Sequence, residues 1–194
     1  MESKLKIAVT AWSLNQRNTG AQLAEQAEIA EEMGFHSFWL PESHFNGEAS
    51  IPSPLMLLAT VASRTERIHL GSTSYLLPIR HPLQAAEEVA VLDSLSDGRV
   101  ILGIGRGFQQ AMFRAFDIPL KDKRKKFSDV LKTMIHAWSG EPIAWDTAED
   151  GSRNPVLLAP LPIQKPHPPI WVAAFSSCSA SGWYPWIAVP GITH

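Results

Sequence analysis

One cysteine, Cys178, occurs in 194 residues, so no internal disulfide framework can form and a reducing compartment suits the chain. No apolar run approaches the roughly 18 residues that span a bilayer. The opening MESKLKIAVTAW lacks the long apolar segment and small-residue cleavage site of a secretion signal. An excess of one charge is missing as well: 17 basic residues stand against 19 acidic ones, a net charge of −2, leaving no electrostatic footprint for nucleic acid. His, Cys, Asp and Glu do not cluster at metal-ligand spacing, and there is no nucleophile elbow. Together these absences point to a cytoplasmic protein with no membrane, metal or nucleic-acid business.

What is present is a core and a rhythm. A hydrophobic content of 45% suffices for one sizeable domain. Four apolar runs, KIAVTA, SFWLP, IHLGST and VILGIG, begin at positions 6, 37, 68 and 100, so successive starts lie 31, 31 and 32 residues apart. They are continuous rather than alternating, as expected of parallel strands covered on both faces. Each interval carries a helical pattern. Thr19 and Gln22 have capping-box spacing before Leu23, Ala27 and Ala30. Ser53-Pro54 and His81-Pro82 each place a cap before a first-turn proline. Phe127, Leu131, Met134 and Trp138 mark a fourth helix. Residues 140–169 then read as an irregular excursion with a hairpin, Ile170–Ala174 as a fifth strand, and Ile187–Val189 as a short one. The βαβαβαβα order fits an open doubly wound sheet or part of a (β/α)8 barrel, which takes about 250 residues when complete.

In either architecture function gathers beyond the C-terminal ends of the strands. Those positions hold Trp12 and Asn15; Glu42, Ser43, His44 and Phe45; Ser72, Thr73, Ser74 and Tyr75; Gly105, Arg106 and Gly107; and Ser176 and Ser177. His44 there is a candidate acid or base near neutral pH, with Glu42 as its orienter, or equally a loop histidine capping the next element. Gly103-Ile104-Gly105-Arg106-Gly107 lets backbone approach a ligand closely, and Arg106 offers a fork for phosphate. It lacks the last glycine of a dinucleotide fingerprint, and a tight strand exit with a surface arginine explains it as well. The basic run 121–126 (KDKRKK) opens a helix and reads as a solvated face.

Taken together, FHSFWLPESHF (35–45), the block from Ile68 to Phe116 and LAPLPIQKPHPPIWVAA (158–174) resemble the luciferase-like flavin monooxygenases. The resemblance implies an α/β fold of TIM-barrel type, incomplete here at five to six of eight strands, with barrel over residues 1–174 and an atypical tail over 175–194. It implies reduced FMN from a separate flavin reductase, O2, a small organic substrate and a homo- or heterodimer. Arg106 then matches the arginine that grips the FMN phosphate. Ser72, Thr73, Ser74 and Gly105 fall beside the flavin ring, where an unusual cis peptide is often found, and Ser176 aligns with a phosphate-binding hydroxyl. His44, with Glu42 beside it, is the candidate catalytic residue that remains, since the histidine the family uses in catalysis stands one position earlier, where this chain has Ser43. Ser43 replaces the first of two adjacent histidines and Gly105 a cysteine, which argues against light emission. The tail departs from the helix the family places there, as truncation or a shifted reading frame would produce. Two other readings accompany this one. One is a deazaflavin-dependent hydride transfer on a similar barrel. The other is a non-catalytic fragment or partner-binding subunit, whose open sheet edges would need covering.

Overall fold

The computed structural model describes residues 5–11, 19–47, 50–147, 153–173 and 186–188. Its main sheet joins β1 (Ala8–Thr10), β2 (Ser37–Leu40), β3 (His69–Ser72), β5 (Val100–Gly105) and β8 (Ile170–Ala173) in that order, every neighbouring pair parallel. A two-residue strand β4 (Tyr75–Leu76) also pairs with β5, and β9 (Trp186–Ala188) adds antiparallel to β8. The helices α1 (Thr19–Glu32), α2 (Pro54–Ala62), α3 (Pro82–Leu95) and α5 (Lys123–Trp138) follow their strands, with a short α4 (Gln110–Ala115) ahead of α5. The architecture is therefore α/β with a parallel sheet of barrel type, and among the described residues the barrel does not close. The expected hairpin is β6 (Ile143–Thr147) with β7 (Arg153–Val156). The proposed boundary near 174 falls outside the described residues.

Strand chemistry explains the layering. All six residues of β5 are buried, as their unbroken apolar character requires. Phe38 and Leu40 of β2 point into a core shared with Leu23, Leu58, Val89, Met134 and Trp138 of the helices. Trp138 is buried to its indole, whose N–H donates to the Ala86 carbonyl at 3.0 Å. The other face of the sheet carries Ser37, Trp39 and Trp171 around a cavity of about 570 Å³. Trp39 lies so close over β3 that a Cβ on Gly71 would sit 2.2 Å from its ring. His81 occupies the N-cap position of α3, yet its side chain makes no capping bond. Its ring packs on Trp145 at 5.1 Å instead.

At the N-terminal ends of β2 and β3, His36 and His69 stack with centroids 4.5 Å apart and planes 9° from parallel. Burial, repulsion from His69 and the charge of Lys6 hold His36 below the usual histidine range. Burial also lowers His69, against the pull of its bond to the His36 carbonyl. Depressed histidines leave the unfolded chain binding more protons in acid. The pair's stability contribution is thus full above about pH 6.5 and lost as pH falls toward the folded values. The thermal midpoint should fall between about pH 7 and pH 5, and the His36→Gln/His69→Gln double variant should flatten that slope. An unchanged slope would place the acid sensitivity elsewhere.

Candidate functional site

A second cavity, of about 820 Å³, opens at the C-terminal ends of the strands. Its size lies in the range of small-molecule sites. Glu42, Ser43 and His44 enter it from the β2 exit, Thr73 and Ser74 from β3, and Gly105 and Arg106 from β5. Lys123 and Arg124 of the first turn of α5 line it too.

The β2 exit is held by a small closed loop. Ser43 and Ile51 form an antiparallel bridge, the Ser43 N–H donating to the Ile51 carbonyl at 3.0 Å and the Ile51 N–H to the Ser43 hydroxyl at 3.0 Å. Beside it the Glu42 side chain is fully buried. One of its oxygens meets His44 Nε2 at 2.7 Å and also accepts from Arg80, while the other accepts from the Leu76 N–H at 2.8 Å. Burial pushes the Glu42 carboxyl above the usual carboxylate range, and Arg80, the Leu76 N–H and His44 pull it back. His44 is 6% exposed and meets the ring of Phe116 edge-on at 5.2 Å.

The β3 exit and the β5 exit touch each other. Thr73-Ser74 is a cis peptide, where the family resemblance places one. A Cβ added to Gly105 would stand 2.2 Å from the Ser74 hydroxyl oxygen, so the two loops approach closely here and a larger residue would have to displace that hydroxyl. Gly107 turns the chain at φ 69°, beyond Arg106.

Of the residues singled out in the sequence, Glu42, His44, Thr73, Ser74, Gly105 and Arg106 therefore share one cavity. Ser72 is not among the residues that line it. It is 1% exposed, and its hydroxyl donates to the Gly103 carbonyl at 2.8 Å inside the sheet. Ser176, Trp12 and Asn15 lie outside the described residues. The basic run is the exposed face expected of it at Lys121, Arg124, Lys125 and Lys126, and its Lys123 and Arg124 also line the cavity. A helix that follows a strand begins at the strand's C-terminal end, so its first turn belongs to the mouth of the site. That rule was the available signal. Arg80 gave none, because it reaches Glu42 from 38 positions away.

The donor set is cationic. Arg106, Lys123 and Arg124 face a cavity in which Glu42, the single carboxylate among the described lining residues, is already taken by its own partners. Such a lining suits an anionic ligand tail, and the close loops at Ser74 and Gly105 offer a backbone floor for a flat group.

Comparison with known proteins gives the same direction. The profile of the family described as luciferase-like monooxygenase matches residues 3–181. The oxygenase component of a flavin-dependent trigonelline monooxygenase from Acinetobacter baylyi is 30% identical over 156 residues, covering 79% of this chain and 42% of its own length. Among solved structures, the monooxygenase RslO1 from Streptomyces bottropensis superposes with a TM-score of 0.76 at 30% identity, over 87% of this chain and 53% of its own. The oxygenating constituent of 3,6-diketocamphane monooxygenase from Pseudomonas putida, in complex with FMN, gives 0.77 at 23% identity, over 92% and 54%. A coenzyme F420-dependent reductase from Methanopyrus kandleri shares the fold with a TM-score of 0.68 at 22% identity, over 89% and 51%. The chain thus spans about half the length of the relatives it matches.

Proposed function

Because the chain belongs to the luciferase-like monooxygenase family, we propose that its C-terminal cavity holds reduced FMN for oxygen insertion into a small organic substrate. The observation that carries this reading is the meeting of Arg106 and His44 in one cavity. Arg106, with Lys123 and Arg124, would hold the phosphate, a role in which the arginine fork outperforms a point charge. Thr73, Ser74 and Gly105 would bear the ring system. Bound reduced flavin supplies the electrons that divide O2 between product and water, and a separate reductase would replenish them.

The chain's own contribution is anchoring, exclusion of water and proton handling. Leu76 and Met112 give the cavity apolar walls against water. His44, almost buried, meets Glu42 through Nε2; with the proton on that nitrogen it would keep Nδ1 for the reacting oxygen. Glu42 fixes the ring rather than touching substrate.

Titration of the purified chain with FMN, riboflavin and F420 in parallel tests the assignment. Tighter binding of FMN than of riboflavin is expected, because only FMN carries the phosphate for the three cations. Binding of F420 alone would favour hydride transfer with a deazaflavin. A folded chain that takes up none of the three would leave the partner-binding reading.

A further inference from the structure

The geometry points to Arg80 as the positioning residue that keeps Glu42 an anion and thereby fixes which nitrogen of His44 carries the proton. This inference rests on His44 being the proton-handling group of the proposed site.

Arg80 follows the third-strand exit, one residue before the N-cap of α3. Its guanidinium is 4.5 Å from the centroid of the Tyr75 ring and donates from Nη2 to the same Glu42 oxygen that meets His44. Tyr75 is itself pinned, since its hydroxyl donates to Glu88 Oε2 at 2.8 Å and burial raises its phenol far above the usual range, leaving it neutral. Arg80 Nε is buried and has no hydrogen-bond partner among the described residues. The side chain is therefore placed by the aromatic face and by Glu42, which holds its plane in one orientation.

The consequence for His44 follows from donor counting. An ionised carboxylate is acceptor-only, so it requires a proton on Nε2 and leaves a lone pair on Nδ1. A protonated carboxyl would donate to Nε2 instead and drive the imidazole proton to Nδ1, the nitrogen left for the ligand. A carboxyl buried this deeply favours its neutral form. The cation of Arg80 opposes that preference most strongly among its partners. Removing the cation should raise the pH at which Glu42 takes up a proton, and the His44 tautomer should invert with it. Glu42, Tyr75, Glu88 and His44 are the other titratable groups in this chain of contacts.

Long-range 1H–15N spectra of histidine-labelled chain, with His44 assigned by its loss in His44→Gln, read the tautomer without any flavin. Wild type should show an unprotonated Nδ1 and a protonated Nε2 at neutral pH. Arg80→Gln should shift the Nδ1 resonance toward the protonated range, and Arg80→Lys should restore it. An unchanged tautomer in a folded Arg80→Gln chain overturns the assignment. Should that variant not fold, wild type still decides, because a mixed or Nδ1-protonated His44 there contradicts an anionic Glu42. Flavin titration separates the two layers. A fixed tautomer in a chain that binds no flavin would sink the functional reading and spare this one.

Discussion

Replacing Arg106 by alanine should weaken FMN binding by about 10- to 100-fold while leaving riboflavin binding nearly unchanged. Hydrogen bonds to a charged group are worth about 1.5–3 kcal/mol, and each 1.4 kcal/mol is about tenfold in affinity. Binding should not vanish, because Lys123 and Arg124 remain in the same cavity. Arg106→Lys should recover part of the loss but not all, since an ammonium cannot make two parallel bonds to phosphate oxygens. Affinity should also fall with added salt, less steeply in the alanine variant, as one of three cations has gone. Fluorescence titration with both flavins at two ionic strengths reads all four outcomes. Equal losses for FMN and riboflavin would mean that Arg106 supports the cavity wall rather than a phosphate.

How much of this was legible in the sequence depends on the range of the interactions. β5 was plain, because six consecutive residues must be buried on both faces and VILGIG is apolar or glycine throughout. The mouth residues Glu42, His44 and Arg106 were found because strand ends mark function in this architecture. Ser72 stays out of the cavity lining for a reason of register. Successive strand residues point to opposite faces, so of two adjacent hydroxyls one meets the cavity and the other bonds to Gly103. α4 spans six residues, too few for a helical period to emerge, and β4 only two. Arg80 and the pairing of Gln164 with Asp93 are tertiary facts. The Gln164 amide donates to Asp93 at 2.7 Å across 71 positions, tying the excursion after β7 to α3. No local pattern announces such a contact.

The largest stability effect should come from a residue far from the cavity. Arg99, 8% exposed, precedes β5 and makes five hydrogen bonds from its guanidinium. The acceptors are the carbonyls of Ser96, Ile68, Ala62 and Thr65 and the Thr65 hydroxyl, at 2.6–3.1 Å. Ala62 closes α2, and Ser96 caps α3. The cation therefore sits between the C-terminal ends of two helices, where unpaired carbonyls and the helix dipoles both favour positive charge. Arg99→Ala would leave several of these carbonyls buried without donors and should cost about 3–5 kcal/mol. That loss corresponds to a midpoint roughly 10 °C lower in a chain of this size. Arg99→Lys keeps the charge but has only three donors on a single nitrogen, so it should recover less than half of the loss. Because Arg99 is remote from the strands' C-terminal ends, any of these variants that still folds should retain its preference for FMN over riboflavin. A midpoint within a degree or two of wild type in Arg99→Ala would show that water or a neighbouring donor satisfies those carbonyls, and that the two helix ends do not depend on this guanidinium.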